Sequence, residues 1–255
     1  MPTVSSKRKS PSVPAPYPCA MHSSDSAILE SQKPETHVSS LRRYGWQIVG
    51  VLAVCGATAL GVAVLLAHDG PLPMDTAVYA WLSAHVISPS LTPAVIVFTQ
   101  MSGVATLIGL TVVILGAACA LRRWRIGVAV AVNLAVEATL NEIFKRIVAR
   151  PRPPLDHRLI AEQGFSFPSG HAMASTAFYG FLIYLVYRYW RRAVKWVAIV
   201  LLALIPPIVM ATRVYLGVHY ASDVLAGCLY SIAYLTLLSI PIMELTLLPA
   251  DSGDR

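Results

Sequence analysis

The chain has 255 residues, 56% of them hydrophobic and only 13% charged, with a formal net charge of +7 at pH 7. Ordinary soluble domains carry roughly twice that share of charge, so the composition excludes a typical water-soluble domain. The positive balance does not point to nucleic acid either: Lys and Arg fall in short segments between apolar runs, not in a basic stripe interleaved with stacking aromatics.

Residues 1–44 are rich in Ser and Pro and poor in large aliphatics. Such a segment cannot bury enough surface to fold alone and is expected to be a disordered cytoplasmic tail, within which Met21 is a second candidate start. The apolar run Trp46 to Ala67 follows Arg42 and Arg43; at 22 residues it exceeds the core of a secretory signal and is expected to be an uncleaved first span. Between His68 and Met101 there is no Lys or Arg, and Met74, Val78, Trp81, Leu82 and Val86 recur at helical spacing, which predicts a short helix lying in the interface.

Five further apolar runs follow, at Gly103 to Leu121, Ile126 to Phe144, His171 to Tyr187, Val194 to Thr212 and Asp223 to Leu248. Each is close to the roughly 20 residues that a helix needs to cross the hydrocarbon core. The expected fold is therefore all-α: a membrane domain over residues 45–248 of six transmembrane helices, with the interfacial helix between the first two and a short polar tail at 249–255. Pro206-Pro207 and Pro241 are expected to kink the last two spans. The four cysteines, Cys19, Cys55, Cys119 and Cys228, have neither zinc-site nor disulfide-framework spacing.

Six spans put both termini on one side. The basic residues of the tail, of Arg122 to Arg125 and of Arg188 to Lys195 make that side cytoplasmic by the positive-inside rule. Two loops oppose the rule: Lys145 to Phe167 holds Lys145, Arg146, Arg150, Arg152 and Arg158, and the loop after Thr212 holds Arg213. Cations placed where orientation does not call for them suggest an anion bound there.

Three clusters stand at span ends on that extracytoplasmic face: KRIVARPRP (Lys145 to Pro153), PSGH (Pro168 to His171) and TRVYLGVHYASD (Thr212 to Asp223). Strong cations, two histidines, a serine, a glycine amide and a carboxylate suit phosphoryl transfer. The clusters resemble the three-part pattern of the type 2 phosphatidic acid phosphatases, K-x6-R-P, P-S-G-H and S-R-x5-H-x3-D, with Thr212 standing where that family has serine.

The resemblance implies a metal-independent lipid phosphatase that needs no cofactor. His219 would be the nucleophile and Asp223, four residues on, would orient it; His171 would protonate the leaving oxygen. Lys145, Arg152, Ser169, Gly170 and Arg213 would bind the phosphoryl oxygens. The substrate would be a bilayer-anchored phosphate monoester or pyrophosphate, such as phosphatidic acid, phosphatidylglycerol phosphate or a polyprenyl pyrophosphate. Two other readings stand beside it: a lipid phosphotransferase using the same phosphohistidine, and a non-enzymatic transporter or scaffold. Nothing in the sequence calls for an obligate protein partner.

Arg146, Arg150 and Arg158 occupy no motif position and are read as solvated or headgroup-contacting groups. Asn133, Glu137, Asn141 and Lys145 form an i, i+4 stripe expected to face the bundle interior. Tyr184, Tyr187, Tyr189, Trp190 and Trp196 read as an interfacial belt.

Overall fold

A computed structural model describes residues 35–68, 70–191 and 193–248. Among these, all regular structure is helical: α1 (Glu35–Leu66), α2 (Pro73–His85), α3 (Thr92–Thr99), α4 (Val104–Ala120), α5 (Trp124–Val148), α6 (Gly170–Tyr189), α7 (Val194–Tyr215), α8 (Ala221–Tyr234) and α9 (Ile240–Thr246). The Ser/Pro-rich tail up to residue 34 and the C-terminal residues 249–255 lie outside the described residues. From Glu35 the backbone is helical, and no Pro or Gly interrupts it between Pro34 and Gly45.

Four stretches are long and apolar enough to cross a membrane: Gly45–Leu66, Trp124–Val148, Val194–Tyr215 and Ala221–Thr246. Thr92–Ser102 with Val104–Ala120, bent by 46°, makes a fifth if taken as one span. On α7 the residues Val194, Val197, Val200, Leu201 and Leu204 are exposed on the outside of the bundle, where hydrocarbon rather than water satisfies them. The chain is a multi-pass membrane protein.

α6 falls outside that apolar set, and its surroundings give the reason. Ala172, Met173, Ser175, Thr176, Ala177, Phe178, Tyr179, Phe181 and Leu185 are all buried within it. Their partners are other helices: Phe178, Phe181 and Leu185 share one core with Leu107 of α4 and with Ala129 and Val130 of α5. A helix enclosed by protein is selected for packing and hydrogen bonding, not for oiliness, so it tolerates Ser175, whose hydroxyl bonds Ala172 O at 3.2 Å, and Tyr179, whose hydroxyl reaches Met101 O at 2.7 Å.

A helix, α2, stands where Met74 to Val86 predict one, and a second, α3, follows it; Pro89, which has no amide to donate, stands in the break between them. α7 continues through Pro206-Pro207, and Thr92–Ser102 and Val104–Ala120 meet at a 46° bend at Gly103. Near Pro241 the ladder widens to π-type over Leu235–Ser239, as the missing amide of the next turn allows. α1 docks against this part of the chain through small residues: a Cβ on Gly50 would come within 2.4 Å of Thr236 Oγ1, and Ala53 and Ala57 are buried on the same face.

Candidate active site

Four helix ends converge. α5 stops at Ala149, which adopts a left-handed conformation (φ 51°) and returns its amide to Lys145 O at 2.8 Å; Pro151, Pro153 and Pro154 then keep α5 from continuing. α6 starts after Pro168 and an extended Ser169. α7 ends at Gly217, whose φ of 66° and close approach to His157 O, 2.0 Å from where a Cβ would stand, admit only glycine. α8 begins at Tyr220, and its first turn is closed by Asp223, which accepts the Tyr220 amide at 2.9 Å.

These ends carry the sequence-predicted residues into one cluster. Lys145 lies within electrostatic reach of Arg152 and Arg213, and His171 within reach of Arg213, His219 and Lys145. Gly170 lets the α6 amino terminus approach α5; a Cβ there would stand 3.1 Å from Asn141 Oδ1 and 3.8 Å from Lys145 Nζ. The first amides of α6 have no carbonyl four residues back and are free to donate. The Ser169 hydroxyl is buried without a partner, a donor waiting for an acceptor. Thr212, by contrast, turns its hydroxyl back onto Val209 O at 2.6 Å and contributes none to the cluster.

His219 is 3% exposed. Its Nε2 is 3.1 Å from Arg152 Nη1. A guanidinium can only donate, so Nε2 accepts and its lone pair faces the cations. The proton of the neutral ring is therefore on Nδ1, which faces Ser166 Oγ at 3.4 Å and Asp223 Oδ2 at 3.6 Å. The Ser166 hydroxyl donates in turn to Asp223 Oδ2. In place of the direct histidine–carboxylate hydrogen bond expected from the i, i+4 spacing, the two groups face each other at 3.6 Å with the Ser166 hydroxyl between them.

Burial holds the His219 ring well below its ordinary value, at about 4; Asp223 works against this, and the cations Arg152 and Arg213 reinforce it. The ring is neutral at pH 7. Burial also draws Arg152 down to about 10, which leaves it cationic. Arg152 is fixed by Val218 O at 2.9 Å and Gln163 O at 2.9 Å.

Four residues of the cluster had no place in the sequence motifs. Glu162 pairs with Arg213 at 2.7 Å and with Arg152 at 3.7 Å. Burial acts to raise its carboxyl, but Arg213 and Arg152 outweigh this and hold it below the usual carboxylate range. Ser166 is the bridge just described. Arg150 was expected to be solvated; it is instead fully buried, paired with Asp223 at 2.6 Å and with Asp75 of α2 at 3.0 Å. A carboxylate in the first turn of a helix within an apolar stretch is the one sequence signal for Asp75. Arg146 is exposed and pairs with Glu142, and Arg158 holds its own loop by donating to Pro153 O at 2.7 Å.

The stripe on α5 faces inward, as expected. Asn141 donates to Pro168 O and Met173 Sδ, bracing the PSGH turn, and Asn133 donates to Ala177 O and accepts from Ser239. Glu137 is buried between them. Among the described residues, no cluster of three or more His, Cys, Asp or Glu side chains has the geometry to hold a metal ion.

Residues 122–244 match the family model of the PAP2 superfamily. The chain is 36% identical over 90 residues to phosphatidylglycerophosphatase B of Bacillus subtilis, which covers 34% of this chain and 44% of that protein. It is 31% identical over 110 residues to sphingosine-1-phosphate phosphatase 1 of Rattus norvegicus (42% and 25%) and 30% identical over 128 residues to undecaprenyl-diphosphatase of Sulfolobus acidocaldarius (48% and 57%). The chain thus spans less than two thirds of the length of these relatives. Its fold is similar to the crystal structure of a transmembrane PAP2-type phosphatidylglycerolphosphate phosphatase from Bacillus subtilis, with a TM-score of 0.67, 24% identity, and coverage of 77% of this chain and 96% of that one.

Proposed function

From a chain whose residues 122–244 form a PAP2 superfamily domain, we propose a membrane phosphatase that removes the terminal phosphate of a bilayer-anchored phosphate monoester or pyrophosphate. The observation that carries this reading is the orientation of His219: its unprotonated Nε2 faces cations while its Nδ1–H faces a carboxylate. That is the arrangement a nitrogen nucleophile needs in order to attack an anionic phosphorus centre.

In the first step Nε2 of His219 attacks phosphorus and the bond to the lipid oxygen breaks. His171 gives that oxygen its proton. Lys145, Arg152 and Arg213, with the Ser169 hydroxyl and the Gly170 amide, hold the phosphoryl oxygens as charge spreads onto them. Asp223 stabilises the positive charge gained by the imidazole. In the second step His171 takes a proton from water as the water oxygen attacks the phosphohistidine; the P–N bond breaks and phosphate leaves. The carboxylate of Glu162 lies on two of these cations, so an incoming phosphoryl group displaces it.

The bundle crosses the bilayer six times, with α1, α4, α5, α6, α7 and the α8–α9 pair as spans and α2 at the interface. The basic loops after α4 and α6 lie in the cytoplasm with both termini, and the site opens on the opposite face at headgroup level. Its contacts grip only the terminal phosphoryl group, the part shared by the substrates in the names of all three relatives.

Purified protein should release phosphate from phosphatidic acid, phosphatidylglycerol phosphate, sphingosine phosphate or polyprenyl pyrophosphate in mixed micelles, at a rate unchanged by EDTA. His219→Ala should abolish release, by at least about a thousand-fold. Full activity in that variant, or a strict requirement for added magnesium, would overturn the mechanism.

A further inference from the structure

Arg150 belongs to none of the three motifs, yet it is fully buried and reaches two carboxylates from different helices. Nη1 donates to Asp223 Oδ1 at 2.6 Å and to Ser222 Oγ at 2.8 Å. Nη2 donates to Asp75 Oδ2 at 3.0 Å and to Gly70 O at 2.7 Å. The guanidinium also lies over the ring of Tyr220, 4.1 Å from its centroid. Asp75 accepts the Leu72 amide at 2.9 Å, the Ser222 amide at 2.8 Å and the Ser222 hydroxyl at 2.9 Å, so one carboxylate closes the first turns of both α2 and α8.

This network fixes Asp223 completely. Its Oδ1 is held by Arg150, while Oδ2 receives the Tyr220 amide and the Ser166 hydroxyl and faces His219. Rotating the carboxylate would break the Arg150 bond between two side chains that are both fully buried. The charges matter as much as the bonds. Arg150 alone would neutralise Asp223 and weaken its hold on a cationic imidazole; with Asp75 on its other side, the arginine's charge is shared and the trio keeps one net negative charge.

We propose that Arg150 and Asp75 form a positioning unit, which aims Oδ2 of Asp223 at His219 and preserves the negative charge that stabilises the imidazolium formed during phosphoryl transfer. The unit touches neither substrate nor phosphorus and acts through Asp223. It also makes α2 part of the active site's framework. This inference rests on the reading of His219 as nucleophile.

The test compares wild type with Arg150→Lys, with the double variant Asp75→Asn/Arg150→Met, and with His219→Ala. Phosphatidic acid in mixed micelles is the substrate, kcat and KM are read separately, and the inhibition constant of inorganic phosphate reports the cation pocket. The double variant removes one charge of each sign, so the buried net charge is unchanged; Arg150→Met alone would strand two carboxylates.

A positioning unit predicts that kcat falls about 10-fold in Arg150→Lys and about 100-fold in the double variant. KM and the phosphate inhibition constant should stay within about 3-fold of wild type, since the phosphate-holding groups are intact. Wild-type kcat in the double variant overturns the proposal, as does loss of phosphate inhibition in step with kcat, which would make the unit a purely structural brace. If the double variant does not fold, Arg150→Lys decides: an unchanged kcat overturns the proposal. Full activity in His219→Ala overturns the underlying reading of the nucleophile instead, whatever the Arg150 variants do.

Discussion

Arginines and lysines gather at both ends of this bundle, in opposite surroundings. At one end Arg150 and Arg213 are at most 1% exposed, and they meet Asp75, Glu162 and Asp223 inside the protein. At the other, Arg122, Arg123 and Arg125 are exposed. There Lys195 lies over the rings of Tyr187 and Trp196, at 5.1 and 5.2 Å, while Arg188 pairs with Glu244 at 2.7 Å. Cations left among aromatics at a surface sit where headgroups and water satisfy them. Cations drawn into protein lose that hydration and need anions, either permanent ones or a ligand. The difference teaches that position relative to the bundle, not residue type, separates a solvated charge from one that must be paired.

The sharpest break of that contrast is a substitution at the buried end. Arg213→Gln should lower kcat/KM for phosphate release by about 100- to 1,000-fold, because it removes a preorganised charge from the phosphoryl oxygens. Steady-state kinetics in mixed micelles check this; a loss below 10-fold would place Arg213 outside the phosphate pocket.

Acid provides the next largest effect. The neutral ring of His219, at about 4 when folded, binds fewer protons below neutrality than the same ring in the unfolded chain, whose ordinary value is about 6.5. Its contribution to stability is complete above that value, is lost as the pH falls through this window, and is worth about 3 kcal/mol in all. Thermal unfolding in detergent between pH 7 and 4 should show the loss, and His219→Gln should flatten it. For the same reason the acid limb of kcat/KM should lie nearer 4 than 6.5.

Ser166→Ala removes the bridge between Nδ1 of His219 and Asp223 while leaving their 3.6 Å contact. A fall in kcat of about 10-fold with KM unchanged is expected. At the opposite end, Lys195→Gln should change kcat/KM by less than about 2-fold and stability by no more than about 0.5 kcal/mol. A large loss of activity there would erase the distinction between the two ends.

How much of this was legible beforehand can be judged within a single segment. KRIVARPRP supplied Lys145 and Arg152 by spacing, and the structure brings both to the cluster. The same nine residues contain Arg146 and Arg150, which sequence alone treated alike. Arg146 stays exposed on α5 beside Glu142, whereas the left-handed turn at Ala149 sends Arg150 inward to a carboxylate 75 residues away. Nothing local to Arg150 encodes that partner. Ser166 and Glu162 were hidden similarly, since their roles depend on a loop folding back so that the Ser166 amide meets Arg150 O at 2.8 Å.

The sequence by itself determined the all-helical membrane class and the register of the three motifs, because apolar periodicity and turn residues act over a few positions along the chain. Only the tertiary structure decided which arginine is buried, which hydroxyl bridges the histidine and its carboxylate, and that α2 is tied to the start of α8 through Asp75. Burial and pairing follow from which distant elements exclude water from a side chain, and the tertiary packing sets that.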